Sequence, residues 1–336
     1  MDGIKRKNAT LHDVAAEAGV SLTTAAGILR NAPGLRASVV TRQRVLDVAA
    51  QLGYRRNAVA ASLKAGKTRL IGVLLPIREI ASTPHSLRAY PQDLLVAVFH
   101  AATGVGLRMI PLSLPAAGED SLLSSVTDRQ VDGLISGSIY DSSIISAIEA
   151  AGVTCVEVSG SGPYVVTPDN EGGAAQAVEH LFSLGHRRIA HWQSGGGLAA
   201  TQRCTGFEKA AQERGLAPTI LRTREQIKYA LSLPPAERTT GIFTFNDYYA
   251  TVVLDMAREL GLRVPEDLSV VGFDNNIFAE TSRPQLTTIH NPLEEQAEAA
   301  VAMLLSRMQG DEPETPKVVV PTRLVIRGST AVAPEK

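Results

Sequence analysis

The sequence is poor in the features that mark secreted, membrane or disulfide-built proteins. Its 336 residues include two cysteines, Cys155 and Cys204, each in or just after an apolar run. Thiols so placed fit small core residues in a reducing compartment rather than a disulfide framework. No apolar run approaches the length that crosses a bilayer, and MDGIKRKNATLHD at the N-terminus lacks the apolar core of a secretory signal. No membrane partner is expected, and the expected location is the cytoplasm. The seven histidines are scattered, and the nearest pair, His186 and His191, has no coordinating companion, so no metal site is expected. There is no G-x-S-x-G elbow and no defensible Cys/His pair. Neither an enzyme nor a cofactor is expected.

What is present is ample apolar material, 44% of the chain, enough for two or three domains. Charge is distributed unevenly. Residues 1–70 hold 12 Lys/Arg against 4 Asp/Glu, the other 266 hold 21 against 30, and the whole nets −1. A basic head on an acidic body implies that the head alone meets a polyanion.

The head reads as three short helices. Thr10 caps the first, with Val14, Ala15 and Ala18 on one face and Gly19 as its breaker; Ser21 caps a second running to about Arg30. After a loop with Pro33 and Gly34, a third helix spans about Thr41 to Leu52, with Val45, Val48, Ala49 and Leu52 at core spacing and Gly53 as its stop. This is a helix-turn-helix with a buttressing helix. From residue 69 the pattern becomes apolar strands alternating with helices: RLIGVLLP, GLRMIPLSL, VDGLISG, VTCVEVSG, RRIAHWQS, TGIFTFN, DLSVVGFDN and LTTIHN. The runs lack strict alternation, as parallel strands buried on both faces do. The expected fold is a small all-α head joined to a two-lobed α/β core of two doubly wound parallel sheets. Expected boundaries are 1–55 for the head, 56–68 for a hinge helix and linker, and 69–336 for the core. Its lobes would comprise about 69–160 plus 291–320, and 161–290 plus the C-terminal segment.

Two glycine-rich stretches imitate phosphate loops. AGKT at 65–68 ends like a P-loop, but Ala61 fills the first glycine position and no strand precedes it. Gly195-Gly196-Gly197-Leu198-Ala199-Ala200 follows a strand and fits G-x-G-x-x-A, yet no acidic strand end follows at the ribose spacing. Such a loop suits any ligand in a cleft.

TLHDVAAEAGVS and VTRQRVLDVAAQLGYRRNAVAASLKAGKTRLIGVLLP closely resemble the head and hinge of the lac repressor/gal repressor family of transcription regulators. VTPDNEGGAAQAVEHLFSLGHRRIAHWQS, RCTGFEKA, FTFND, SVVGFDN, RPQLTTIHNPLEEQAEAAVAML and LVIRGST resemble its effector-binding core. The resemblance implies a homodimer with two heads on palindromic double-stranded operator DNA. It also implies hinge helices in the minor groove and a periplasmic-binding-protein-like core for a small effector. A dimer is expected over a tetramer, because no apolar heptad extension follows LVIRGSTAVAPEK.

Carried over residue by residue, the resemblance makes Ser21 the cap of the recognition helix, Leu22 and Thr23 its base-reading positions, and Thr24 a support and phosphate contact. Thr10 and Arg30 join this DNA-binding set. Ala25-Ala26-Gly27 stands where Val-Ser-Arg is usual, so Gly27 replaces an arginine that would approach a base. In the hinge Asn57, Ala58, Ala60 and Leu63 match, Leu63 as the wedge between base pairs, whereas Arg56 replaces the usual proline. For the effector the matches are Arg203, Asn246 and Asp274, an arginine, amide and carboxylate that suit sugar hydroxyls or, through the arginine, a carboxylate. Phe243 and Trp192 are added as stacking candidates, and Ser159 stands where many sugar-binding members carry an acid. The expected function is an effector-controlled DNA-binding regulator, a repressor in sign, acting without a chemical step. A sugar-binding transport receptor shares the two-lobed plan but not the basic head, and a dehydrogenase using the GGGLAA loop is the remaining alternative.

Overall fold

The structure, a computed structural model, describes residues 9–32, 34–55, 68–75, 89–112, 126, 130–137, 142–194 and 196–335. The chain divides into two compact units, Met1–Thr68 and Arg69–Lys336.

In the first unit, helix α1 (Leu11–Glu17) begins with a capping box. Asp13 N–H donates to Thr10 Oγ1 at 3.3 Å, while Thr10 N–H donates to the Asp13 carboxylate at 2.7 Å, so two otherwise orphaned amides are satisfied. Gly19 turns the chain with φ +63°, a value that favours glycine, and α2 (Leu22–Leu29) starts at Ser21, whose Oγ accepts from Thr24 N–H at 3.1 Å. Helix α3 covers Val39–Gln51 and begins earlier than the expected Thr41. Ser38 is its cap and Thr41 N–H donates to that side chain at 3.1 Å. Val14, Ala15, Ala18, Ala25, Ile28, Val45, Val48 and Ala49 form the core. Leu52, expected among them, is 39% exposed, since it caps the C-terminus of α3 instead of extending its buried face. Alanine supplies half of this core, so Val14, Ile28, Val45 and Val48 carry most of its burial energy, roughly 1.5–3 kcal/mol for each large side chain.

The second unit contains two six-stranded sheets. The first comprises β1 (Leu70–Leu74), β2 (Arg108–Leu112), β3 (Gly133–Gly137), β4 (Cys155–Val158), β5 (Val165–Pro168) and β11 (Lys317–Val320), in the order β11-β5-β4-β3-β1-β2. The second comprises β6 (Ile189–Trp192), β7 (Thr219–Leu221), β8 (Gly241–Thr244), β9 (Ser269–Asp274), β10 (Thr287–His290) and β12 (Arg323–Val325), in the order β12-β10-β9-β8-β6-β7. All ladders are parallel except β10 with β12. Because β5 pairs within the first sheet, the chain leaves that lobe after Pro168 and not at about residue 160 as expected.

Helices α4 (Ala89–Gly104) and α11 (Leu293–Gln309) cover one face of the first sheet, and α5 (Ser142–Ala150) covers the other. The second sheet lies between α6 (Asn170–Ser183) with α7 (Leu198–Glu213) and α8 (Arg224–Ser232) with α9 (Asp247–Glu259). Helix α10 (Ile277–Thr281) follows β9. Strands buried on both sides explain the continuous apolar runs. Helices α6 and α7 approach closely at Gly206, where a Cβ would stand 2.4 Å from the Glu171 carbonyl oxygen. Among the described residues no helix is long and apolar enough to cross a membrane, and no cluster of His, Cys, Asp and Glu could hold a metal.

Candidate functional site

On the head, Ser21, Leu22, Thr23 and Arg30 are exposed and Thr24 is half-buried. Leu22, Thr23, Ala26 and Arg30 share the outward side of α2, as the helical repeat requires. Ser21 and Thr24 are joined by a hydroxyl contact of 2.8 Å in the cap, and Arg30 Nε donates to Ala26 O at 3.1 Å. Thr10 is exposed but occupied by its capping box. Gly27, which the resemblance puts where an arginine would approach a base, is not exposed on that face. It is buried, because the side chain of Leu35 lies over it, with Cδ2 2.9 Å from the position a Cβ would take. The backbone at Gly27 is therefore covered rather than open to a groove. Asn57, Ala60 and Leu63 lie outside the described residues.

In the core, parallel strands deliver their C-terminal residues to one edge, the edge where α/β ligands collect. Arg203, on the inward face of α7, is 4% exposed. Its Nε donates to Asn170 Oδ1 at 2.9 Å, its Nη1 to Phe245 O at 2.5 Å, and its guanidinium lies 3.5 Å above the Phe273 ring. Nη2 stands 3.7 Å from Asp274 Oδ1, too far for a good hydrogen bond. Asp274 ends β9 with φ +104° and accepts from Asn291 Nδ2 at 3.4 Å. Burial pushes its carboxyl up to about 6, against the pull of Arg203 and Asn291, with Asp93 of α4 adding to the rise.

Beneath it lies a second buried carboxyl. Asp247 accepts from Thr288 Oγ1 at 2.5 Å and from Asn276 N–H at 2.9 Å, which anchors the left-handed turn at Asp274 and Asn275. Burial and the neighbouring Asp274 raise it well above the ordinary carboxyl range. Gly272 is required there, because a Cβ would meet Asp247 Oδ1 at 2.1 Å.

Asn246 caps α9, its Oδ1 accepting from Tyr249 N–H at 3.1 Å, and is half-buried. Ser159 follows β4 with φ +59°, and its Oγ accepts from Tyr90 of α4 at 3.1 Å. Arg203 and Asp274 are thus brought together, while Asn246 follows β8 of the same sheet and Ser159 follows β4 of the other.

The two aromatic candidates do not belong with them. Phe243, in the middle of β8, is fully buried among His191, Phe207 and Phe273. Trp192 is 3% exposed and packs edge-on to Tyr249 in the other half of the core. Neither offers a free ring face, because strands between two helix layers are buried on both sides.

Sequence reasoning passed over Asn170, Phe245, Asp247 and Asn291, although VTPDN, FTFND and TTIHN contain them. An alternating strand does not tell which strand-end residue turns toward a neighbouring helix. Tyr90 and Asp93 fall in a segment with no readable pattern.

Residues 10–57 match the family described as bacterial regulatory proteins, lacI family, and residues 178–330 match the periplasmic binding protein-like domain. The HTH-type transcriptional regulator DegA of Bacillus subtilis is 31% identical over 340 residues, which cover 96% of this chain and 98% of the relative. The HTH-type transcriptional regulator MalR of Streptomyces coelicolor is 32% identical over 347 residues, covering 96% and 97%. Among solved structures, the lac repressor dimer bound to operator and the anti-inducer ONPF is similar with a TM-score of 0.81 at 28% identity, over 97% of this chain and 100% of that one. These matches run through head and core alike, and the chain belongs to the lacI family of bacterial regulatory proteins, DNA-binding regulators of transcription rather than enzymes.

Proposed function

We infer that the chain is a homodimeric repressor whose operator affinity is set by a small neutral polyhydroxy effector, a sugar or sugar derivative, held beside Arg203 and Asp274. The observation that carries this reading is the buried guanidinium. Two of its nitrogens are fixed to Asn170 and Phe245, while the third is held 3.7 Å from Asp274. A hydroxyl entering that gap can donate to the carboxylate and accept from Nη2, which a neutral ion pair rewards and a second carboxylate does not. Asn246, after β8 of the same sheet, and Ser159, after β4 of the other, are the further polar groups offered to it, and the exposed side of α2 is the face that reads DNA.

No chemical step is needed. An effector shifts operator affinity only by binding the DNA-competent and DNA-incompetent states unequally, and operator weakens effector binding by the same factor. The DNA-binding role places the protein with the chromosome in the cytoplasm. The test is a thermal-shift screen of sugars and sugar derivatives, followed by titration of any hit into the operator complex. The hit should release or tighten DNA for the wild type and act on neither Arg203→Ala nor Asp274→Ala. A hit that binds both variants as it binds the wild type would remove the assignment of the cleft.

A further inference from the structure

Gly27 lies one turn after Thr23 on α2, and residues four apart stack on one side of a helix. It therefore marks the edge of the exposed face. That edge is filled from outside the helix: Leu35 places Cδ2 at 2.9 Å and Cδ1 at 3.1 Å from where a Gly27 Cβ would be. The loop is held for this by Ala32 N–H donating to Gly27 O at 3.0 Å, by Leu35 N–H donating to Ala32 O at 3.4 Å, and by Gly34 at φ +79°. Gly27 is buried as a result, Thr23 beside it is exposed, and Leu35 is half-buried, packed against the head's core on one side with the rest of its surface open.

We propose that Leu35 is a specificity-determining residue of DNA recognition, presenting its isobutyl group next to Thr23 to read a thymine methyl. Glycine at position 27 admits it, since any larger side chain would claim the same space. Leucine has no donor or acceptor for a base edge, and the one apolar feature the major groove displays is the C5 methyl of thymine. A loop residue thus supplies, with opposite chemistry, the contact that the helix itself has given up. The inference rests on the exposed face of α2 being the DNA-reading face.

The test selects operators from a randomised duplex pool with the full chain as wild type, Leu35→Ala, Gly27→Ala and Thr23→Ala. The wild type should fix one thymine per half-site that relaxes in Leu35→Ala and in Gly27→Ala, while Thr23→Ala alters an adjacent column. Gly27→Ala keeps Leu35 in the chain and improves helix propensity, and unchanged melting temperatures of both variants exclude a folding artefact. Deoxyuridine in place of that thymine removes the methyl alone. It should weaken wild-type binding about fourfold per half-site, the factor expected for one buried methyl, and leave Leu35→Ala and Gly27→Ala unchanged. If Thr23→Ala alters its column but Leu35→Ala alters none, the role of Leu35 is overturned. If Thr23→Ala also alters none, the reading of α2 itself fails.

Discussion

Replacing Asp274 with asparagine asks whether the buried cluster around Arg203 favours a neutral or an ionised group. Burial lifts this carboxyl from 3.8 to about 6, and Arg203 and Asn291 do not overcome it. A displacement of one pH unit corresponds to about 1.4 kcal/mol, so the ionised carboxylate costs the folded state ~3 kcal/mol at neutral pH. The folded value lies above the unfolded one. The favourable contribution of the group is therefore complete below pH 3.8 and lost as pH rises through about 6. Asparagine is nearly isosteric, neutral at every pH, and still offers an oxygen to Asn291. Arg203 loses its nearest anion, but that anion stands 3.7 Å away, and the bonds to Asn170 and Phe245 and the Phe273 stack remain. Urea unfolding of the ligand-free protein should show Asp274→Asn more stable than wild type above pH 6, by up to ~3 kcal/mol, with the gain fading toward the unfolded value of 3.8. A variant less stable than wild type by the same amount across that range would show that Arg203 depends on the carboxylate and would refute the reasoning.

Operator affinity should fall steeply with salt, by about 0.9 in log affinity per log salt for each neutralised phosphate, and a chain lacking residues 1–68 should fold and bind no DNA; retained binding would remove the head from recognition. Arg203→Ala should weaken an identified effector by about 2 kcal/mol or more, the cost of breaking a buried charged hydrogen bond, and isothermal titration with normal ligand-free operator binding would separate this from misfolding. Gly206→Ala should destabilise the core by about 1–3 kcal/mol, read as a lower melting temperature, because its Cβ would stand 2.4 Å from the Glu171 oxygen and force α6 and α7 apart.

Much of the architecture could be read from residue pattern, because both sheets are built from parallel strands whose apolar runs have few other uses. All eight runs singled out are strands. The four passed over are short or polar: β5 ends in proline, β7 and β12 have three residues each, and β11 shows an alternating half-exposed pattern at a sheet edge. The capping residues Thr10 and Ser21 were legible because capping is local chemistry. The start of α3 was misjudged for the same reason, since both Ser38 and Thr41 could cap and only the loop geometry chooses. Arg203 and Asp274, which the structure brings near each other, were named through resemblance. Phe243 and Trp192 are buried among the helix layers, which strand position alone does not tell. The cover over Gly27 lay beyond reach, since it joins a helix to a loop by packing alone.

The proposed control of DNA by a cleft ligand requires that Asp274 be tied to the path between lobes, and the crossings show such a tie. The chain passes between the sheets after β5, after β10 and after β11. At the first and third crossings Asp169 N–H donates to Val320 O at 2.9 Å and Thr322 Oγ1 donates to Asp169 O at 3.1 Å, so those two crossings are bonded to each other. The second crossing carries Asn291, which donates to Asp274 and accepts from Gln296 Nε2 at 2.6 Å. Gln296 is fully buried in α11, the helix packed on the first sheet. A ligand that draws Asp274 toward itself therefore competes with Asn291 for the same carboxylate oxygen. Asn291 is in turn bonded to α11, which packs on the sheet of the other lobe. Because the bond to Asn291 is the long one at 3.4 Å and the bond to Gln296 the short one, the link yields at Asp274. In the proposed control the crossing would stay joined to α11 through Gln296, which is the property a two-position device needs.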